Sequence, residues 1–342
     1  MLAIHHRKDS FSQKWIEYCK LNDINFECID IFSLTVNNIV CKYNGLMWNW
    51  DLNDDRSILV AKDIIYALEL VSFPVFPNFK TCFFYENKVI QKYIFDILSV
   101  PTPISQIQFK KQKAFEFISN TSFPLVLKLK TGAGSHNVIL LTTKSKAKYY
   151  IRKLFSKGIS AVNFSQRAKD RLKSLRKLFS LRNLMSFLFN AFNVLLKIMP
   201  KGYKLRQNEI GYFYTQQFIE NNTYDDRFVI IGNRCYCLRR YCRPNDFRAS
   251  GSGIFKFNHK LFPHESIKLC FNVAEKLKTQ CTAFDVIYKK DKPLIVEISY
   301  SFSAGYPYNK CDGYFDTNIN WHKEPIIPEY AMIKDFIYSL SA

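Results

Sequence analysis

The chain has 342 residues, of which 48% are hydrophobic and 23% charged, a composition that supports a folded core and excludes a wholly disordered protein. Lys and Arg number 49 against 29 Asp and Glu, a net charge of +20 that directs attention to nucleic acid and anionic membranes. No stretch has the ~18 uninterrupted apolar residues of a membrane-spanning helix. With no signal-peptide pattern and ten scattered cysteines lacking a C-x-x-C pair, we expect a cytoplasmic protein.

The first hundred residues alternate short apolar runs with amphipathic runs. Strands are expected at 1–5 and 25–30, and helices at 10–20, 63–71 and 87–98. This alternation is the pattern of a small α/β domain, and we assign residues 1–77 to it.

The pattern of residues 123–141 predicts a β-hairpin with a glycine-rich tip, Thr131-Gly-Ala-Gly-Ser-His136. A strand enters the tip through Lys128 and Lys130, and a second strand leaves it from Asn137. Backbone N–H groups of such a turn can surround a phosphate. No Gly-Lys-Ser/Thr follows, so the tip is not a Walker loop.

The charge excess is local. Residues 144–206 contain 17 Lys and Arg against one acid, Asp170, which leaves a net +4 for the rest of the chain. Such a shift in composition predicts a helical insertion at about 144–206 in an otherwise ordinary protein.

Within this segment, apolar residues from Leu178 to Met199 recur every three or four positions, which predicts a helix that ends at Pro200. Basic turns before a broad apolar face suit a helix in an anionic membrane interface. Packing against protein, in this chain or in a dimer, is slightly favoured over the membrane interpretation, and nucleic acid is the least favoured of the three. The protein is therefore expected to be cytoplasmic, with peripheral attachment to the inner face of the membrane as one alternative.

Beyond the insertion, strands are expected at 211–219, 227–231, 235–241, 283–288 and 293–298, with a helix at 265–278. Asp285 and Glu297 lie on the last two strands, which form a hairpin that places both carboxylates on one side, about two pairs apart. An acid in an apolar strand needs a partner. Mg²⁺ with phosphate oxygens would serve, and pairing with arginines is the alternative.

Arginines precede this hairpin at high density, and they end beside a second glycine-containing turn, Gly251-Ser-Gly253. Guanidinium groups at this density indicate an anion-binding surface. The candidates are Arg227, Arg239, Arg240, Arg243 and Arg248.

In order, these pieces resemble the ATP-grasp superfamily of ATP-dependent carboxylate–amine ligases, from about residue 78 to residue 298. The motifs that carry the resemblance are Glu86-Asn-Lys-Val-Ile-Gln, Pro124-Leu-Val-Leu-Lys-Leu-Lys-Thr-Gly-Ala-Gly-Ser, Gln216-Gln-Phe-Ile, Asp226-Arg-Phe-Val-Ile-Ile-Gly, Asp246-Phe-Arg-Ala-Ser-Gly-Ser-Gly and Phe284-Asp-Val…Glu297-Ile-Ser. The tail from Cys311 to His322 resembles a branch associated with surface-polysaccharide biosynthesis.

The resemblance implies an α/β (α+β) fold with an N-terminal α/β domain and two α+β subdomains, 78–215 and 216–342, that grip ATP. Lys88, Lys128 and Lys130 would contact phosphates, and the loop with Gly132, Gly134 and Ser135 would close over them. The hinge Gln216, Gln217, Phe218 and Ile219 would bind adenine. Asp285, Glu297 and Ser299 would hold Mg²⁺, and Arg227, Arg240 and Arg248 would hold an acyl phosphate or carboxylate.

Two positions depart from the family pattern. Ser299 stands where an asparagine is usual, and Gln217 stands where a glutamate is common. The implied reaction is amide formation through an acyl phosphate on a sugar acid, amino acid or glycan precursor, with a small or glycan-linked carboxylate and an amine as partners. His136 and His322 are candidates to deprotonate the amine. The alternatives are a kinase on the same scaffold and a non-catalytic protein that binds an anionic surface.

Overall fold

The computed structural model describes residues 1–50, 54–132, 137–160, 208–244, 246–303, 305, 307–324 and 327–341. The predicted helix at 178–199 and the loop residues Gly134, Ser135 and His136 lie outside the described residues. The chain divides into two compact units. Unit 1 comprises residues 1–51, 59–103 and 219–342, and unit 2 comprises residues 52–58 and 104–218. The three-domain division remains a prediction.

The described residues form fifteen strands, most of them short. In chain order they are β1 (Leu2–His5), β2 (Phe26–Ile29), β3 (Gly45–Trp48), β4 (Val75–Phe76), β5 (Ser105–Gln108), β6 (Leu125–Lys128), β7 (Val138–Leu141), β8 (Phe213–Gln217), β9 (Tyr224–Ile231), β10 (Arg234–Tyr241), β11 (Phe255–Lys256), β12 (Cys281–Lys289), β13 (Lys292–Ser299), β14 (Tyr314–Phe315) and β15 (Trp321–His322).

Nine α-helices accompany them within the same described ranges. They are α1 (Ser12–Leu21), α2 (Val36–Lys42), α3 (Asp55–Leu70), α4 (Phe79–Cys82), α5 (Lys88–Ile97), α6 (Lys111–Ser119), α7 (Lys144–Leu154), α8 (His264–Leu277) and α9 (Pro328–Ser341). Among the described residues, no helix combines the length and the apolar character needed to cross a bilayer.

Unit 1 contains two sheets. The first is parallel, in the order β2-β1-β3-β4, which confirms the α/β alternation expected at the N-terminus. Its central strands β1 and β3 are buried along their whole length, as parallel strands with helices on both faces are. The second sheet has seven strands; its main path is β13-β12-β9-β10-β14-β15, and β11 pairs with β10.

The seven-stranded sheet separates two hydrophobic cores, because alternate residues of a strand face opposite sides. Val229 and Ile231 of β9 pack into a core with β1, α1 and α9. Phe228 and Ile230 pack into the other core with α5 and α8. Each face of this sheet is thus apolar near the Ile231 end of β9. Charged residues occupy the opposite end of the strand.

Unit 2 is built on the antiparallel sheet β5-β8-β6-β7, with α6 and α7 packed on it. Ala147, Ile151 and Leu154 of α7 are fully buried in this core, while Arg152 and Lys153 are exposed. The first turns of the predicted basic insertion are therefore an ordinary amphipathic helix of the fold. Residues 161–207 of the basic segment lie outside the described part of the chain.

Candidate functional site

Five charged side chains lie on one face of the seven-stranded sheet. The strand register pairs Arg240 with Asp225, Arg227 with Asp285, and Asp285 with Glu297, and directly paired residues of antiparallel strands point to the same side. We refer to Asp225, Arg227, Arg240, Asp285 and Glu297 as the charged face.

A β-bulge puts Glu297 on this face. Val286 pairs with Ile295, but Asp285 pairs with Glu297, so Val296 is an extra residue. Had the register of Val286 continued, Glu297 would pair with Phe284 and point to the other side, since a slip of one residue reverses a strand. The carboxylates therefore share a face as predicted, but as direct partners and not two pairs apart.

Carboxylates hold both arginines of the charged face. Arg227 binds Asp285 through Nε–Oδ1 (2.6 Å) and Nη2–Oδ2 (2.9 Å). Arg240 binds Asp225 through Nε–Oδ1 (2.5 Å) and Nη2–Oδ2 (2.7 Å), and its Nη2 lies 2.8 Å from Asp285 Oδ2. Bidentate hydrogen bonds of this kind fix the plane of a guanidinium group. The alternative that arginines pair with the buried acid thus holds for Asp285.

The electrostatics keep this network charged. Burial alone would raise the pKa of Asp285, but the Coulombic attraction of Arg227 and Arg240 holds it well below the usual range. Burial likewise opposes the charge of each arginine, yet the nearby carboxylates Asp225 and Asp285 raise the pKa of Arg240, and Asp285 raises that of Arg227. Both guanidinium groups are therefore fixed, permanent cations.

Each guanidinium group keeps unused donors. Arginine has five N–H groups, and the carboxylates occupy only the Nε and Nη2 side of Arg227 and Arg240. Among the described residues, Nη1 of neither arginine donates to a carboxylate or a carbonyl. The two arginines can accordingly bind a further oxyanion while they keep their hydrogen bonds to Asp225 and Asp285.

Lys88, the first residue of α5, places its ammonium group at the charged face. The side chain of Asn87 caps α5 by accepting a bond from Ile90 N (3.2 Å), which is the usual role of asparagine at this position. Lys88 is the first residue of the helix and only 2% exposed, and its Nζ lies 2.9 Å from Glu297 Oε1. A buried ammonium next to a half-buried carboxylate is a point charge that phosphate oxygens can also bind.

The charged face fits a hard cation. Asp285 and Glu297 offer only oxygen, as Mg²⁺ prefers, and Mg²⁺ is commonly held by one or two carboxylates together with phosphates and water. A carboxylate has about four lone-pair positions, so the bonds to Arg227, Arg240 and Lys88 leave capacity on both groups. Within the described ranges, no set of three or more His, Cys, Asp or Glu is arranged to hold a metal. Asp285 and Glu297 are thus the two carboxylates that this face would contribute, and a bound nucleotide would have to supply phosphate oxygens.

Ser299 and Arg248 have partners of their own. The Ser299 hydroxyl donates to Ser301 O (2.7 Å) and accepts from Ser301 N (3.2 Å). Arg248 binds Asp246 through Nε–Oδ1 (2.9 Å) and Nη2–Oδ2 (2.8 Å). Their assignments, to the metal and to the substrate anion, remain predictions.

In unit 2, the start of the glycine-rich loop is held in place. Glu209 Oε1 accepts from Thr131 N (3.0 Å) and from its hydroxyl (2.5 Å), and Asn137 Nδ2 donates to Thr131 O (2.7 Å). Gly132 has φ +130°, and an added Cβ would lie 2.5 Å from Asn137 Nδ2, so only glycine fits there. The loop therefore leaves β6 and returns to β7 from a fixed base.

The other predicted nucleotide residues of unit 2 lie on its central strands. Lys128 ends β6 and is 5% exposed, whereas Lys130 is exposed. Gln216 is buried on β8 and donates to Ser105 Oγ (3.2 Å). Gln217 N donates to Ile104 O (2.7 Å). The chain leaves unit 2 after Phe218 and re-enters unit 1 at Ile219.

His322 is paired on the β14–β15 hairpin. Its Nε2 lies 2.9 Å from Asp316 Oδ2, and the side chain is 43% exposed. His322 as a base for the amine remains a prediction, and so does His136, which is outside the described residues.

Sequence reasoning missed three residues of these sites. Asp225 had a detectable signal, because it is two positions before Arg227 in an apolar strand and so shares its face. Glu209 follows directly after the basic segment and gives no local signal. Tyr308, which is 1% exposed, comes close to Arg227 and Arg240 only through the fold.

The fold is that of ATP-grasp enzymes. The structure of a RimK domain ATP-grasp protein from Sphaerobacter thermophilus matches with a TM-score of 0.58 at 14% identity, over 98% of each chain. D-alanine–D-alanine ligase from Bacillus anthracis matches with a TM-score of 0.56 at 12% identity, over 99% of this chain and 96% of that one. The ATP-grasp ligase PsnB, in complex with a minimal precursor, Mg and ADP, matches with a TM-score of 0.54 at 10% identity, over 100% and 98%.

The sequence matches no family model and no curated protein. Likeness in fold at such low identity leaves the activity to be argued from the residues of the site.

Proposed function

Because the chain has the ATP-grasp fold, we propose that it is an ATP- and Mg²⁺-dependent ligase that joins a carboxylate to an amine through an acyl phosphate. The charged face is the observation that supports this most directly. It combines two anchored arginines with unused donors, a buried lysine and two carboxylates on one sheet surface.

The reaction needs no nucleophile from the protein. A substrate carboxylate oxygen bonds to the γ-phosphorus of ATP, and the bond to the ADP oxygen breaks. The amine then bonds to the carbonyl carbon, phosphate leaves, and the proton lost by the amine passes to phosphate or solvent. Such phosphoryl transfer depends on positioning and on cations that stabilise the transferring group.

The chain's own residues have distinct parts in this proposal. Arg227 and Arg240 bind the oxyanion of the carboxylate and the acyl phosphate, and Lys88 binds a phosphate oxygen. From unit 2, Lys128, Lys130 and the loop with Gly132, Gly134 and Ser135 bind phosphates, and residues 216–219 bind adenine. Asp285 and Glu297 hold Mg²⁺, which supplies neutralising charge to the phosphates.

A trapping assay tests the reaction type. The protein is incubated with ATP, Mg²⁺ and panels of sugar acids, amino acids and glycan precursors, with hydroxylamine as the amine. We expect ADP, phosphate and a hydroxamate, because hydroxylamine captures an acyl phosphate. A stable phosphorylated product that forms without any amine would instead show a kinase. Nucleotide binding with no turnover across the panels would contradict both enzymes.

Adjacent arginines on opposite faces give matched variants. Arg240→Lys keeps the positive charge but cannot form the bidentate hydrogen bonds of a guanidinium group. Turnover should therefore fall by about 10²-fold or more. Arg239→Lys is the control. This variant loses an equivalent bidentate interaction, the one between Arg239 and Asp226 (2.7 and 2.9 Å) on the other face of the sheet. Equal losses of turnover in the two variants, after correction for folded fraction, would contradict the assignment of the charged face.

The substrate class and the anionic surface belong to the same proposal at a finer level. A lipid- or glycan-linked carboxylate would explain why +16 of the +20 charge lies in residues 144–206, since basic segments bind anionic membranes at about 1 kcal/mol per Lys or Arg. Attachment to the inner face of the membrane is the corresponding location.

A further inference from the structure

Tyr308 has a buried hydroxyl whose proton has no acceptor among the described residues. The residue opens a short 3-10 turn, Tyr308–Lys310, after β13. Its side chain is 1% exposed and packs on Phe302, with ring centroids 4.7 Å apart. Arg227 lies within hydrogen-bonding reach of the hydroxyl oxygen, but no described group accepts the hydroxyl proton. An unsatisfied buried polar group costs about 1–3 kcal/mol, so its retention calls for an explanation.

The surroundings show what kind of group is missing. The guanidinium charges of Arg227 and Arg240 act directly on the Tyr308 hydroxyl. An arginine has donors but no acceptor, so neither can receive the hydroxyl proton. The nearby carboxylate of Asp285 already accepts three N–H bonds from the same arginines. Within the described ranges no group remains to accept the hydroxyl proton, so a bound ligand with an oxygen acceptor would satisfy it.

The hydroxyl is a donor at any working pH. Burial raises the pKa of Tyr308 to about 12, and the two arginines only partly offset this effect. The Nη1 groups of the same two arginines donate to no carboxylate or carbonyl among the described residues. A hydroxyl donor beside two guanidinium groups is a set of donors that suits an oxyanion.

We infer that Tyr308, Arg227 and Arg240 form an oxyanion subsite in which the Tyr308 hydroxyl donates a hydrogen bond to a carboxylate or phosphoryl oxygen. The inference rests on the proposed function, whose substrates carry both kinds of oxygen. Tyr308 then acts as a binding residue that donates a hydrogen bond to the oxyanion.

The test compares two buried tyrosines. Tyr308→Phe removes the hydroxyl of the subsite. Tyr236→Phe is the control, because Tyr236 is also fully buried, its hydroxyl also has no acceptor among the described residues, and it lies on the same face of β10 as Arg240. Neither change removes a bond that the hydroxyl donates within the described residues, so both variants should fold with a stability close to that of the wild type.

Binding of inorganic phosphate and of acetate is measured by calorimetry for all three proteins. We expect Tyr308→Phe to bind the preferred anion at least about 10-fold more weakly, the loss of one hydrogen bond to a charged acceptor, and Tyr236→Phe to bind as the wild type does. A loss with phosphate assigns the phosphoryl oxygen, and a loss with acetate assigns the carboxylate. Unchanged affinity in Tyr308→Phe, or no anion binding by the wild type, would overturn the inference.

The outcome is separable from the ligase assay. Weaker anion binding in Tyr308→Phe without any ATP consumption by the wild type would keep the subsite and reject the ligase. ATP-dependent hydroxamate formation, with the same anion affinity and the same KM for the carboxylate in Tyr308→Phe, would keep the ligase and reject the subsite.

Discussion

At the scale of single residues, burial and partners decide what each charge does. Glu329, at the start of α9, is fully buried. Its Oε1 accepts from Gly305 N (3.0 Å), and its Oε2 has no partner among the described residues. Burial therefore raises the pKa of Glu329, and bonds from backbone groups only partly offset it. Asp285 is the opposite case, because two arginines lower the pKa of a carboxylate that is also buried.

The raised pKa of Glu329 predicts a pH-dependent stability. The contribution is fully present below the unfolded-state pKa near 4.5 and is lost as pH rises through the folded-state pKa. Glu329→Gln keeps an acceptor for Gly305 and cannot ionise. Its free energy of unfolding, relative to the wild type, should rise by about 1 kcal/mol or more between pH 4 and pH 7.

Denaturant unfolding across this pH range measures the difference. Glu324→Gln, at an exposed position, is the control for the same substitution on the surface. A constant difference for Glu329→Gln would show that Glu329 ionises in the folded protein as it does in the unfolded chain.

At the scale of elements, β9 and β10 carry an acid–arginine pair on each face. Asp225 and Arg240 belong to the charged face. Asp226 and Arg239 lie on the other face, where Tyr288 donates to Asp226 Oδ2 (2.6 Å) and Arg239 donates to Leu261 O (2.8 Å). Other protein groups thus bind both members of the second pair, so we expect this pair to serve stability, whereas the first pair belongs to the proposed binding site.

Asp226→Asn tests this division. It leaves Arg239 buried without its counter-charge, and breaking a buried pair in this way costs about 3–5 kcal/mol. The free energy of unfolding should fall by about that amount, while phosphate affinity of the folded protein stays unchanged. Tyr288→Phe, which loses the hydroxyl's hydrogen bonds with Asp226 and Ser266, should cost about 1–2 kcal/mol. A stability loss no greater than that of Tyr288→Phe would refute the structural assignment.

At the scale of the whole molecule, the net charge of +20 separates into a nearly neutral protein and one basic segment. The charged face itself contains two arginines and three acids, with Lys88 as the third cation. The first turns of the basic segment form α7 of unit 2. The Lys and Arg residues after residue 160 are therefore not part of that helix.

Removal of residues 165–199 should weaken binding to vesicles of anionic phospholipid and leave ATP binding intact. Both measurements are made on the full chain and on the deletion variant, with neutral phosphatidylcholine vesicles as the control. The difference should shrink as salt is added, because screening weakens exposed charge interactions. Equal binding of both proteins to anionic vesicles would refute the membrane interpretation of this segment.

The sequence by itself determined the ATP-grasp fold, the alternation of strands and helices in the first hundred residues, and the placement of Arg227, Arg240, Asp285 and Glu297 on strands. Local periodicity and short motifs carry that information. Only the tertiary structure decided which of these side chains meet. The bulge at Val296 turns Glu297 toward Asp285, and cross-strand register pairs Asp225 with Arg240. A turn remote in sequence brings Tyr308 to the arginines. Register and long-range packing depend on contacts between distant segments, which a local pattern does not encode.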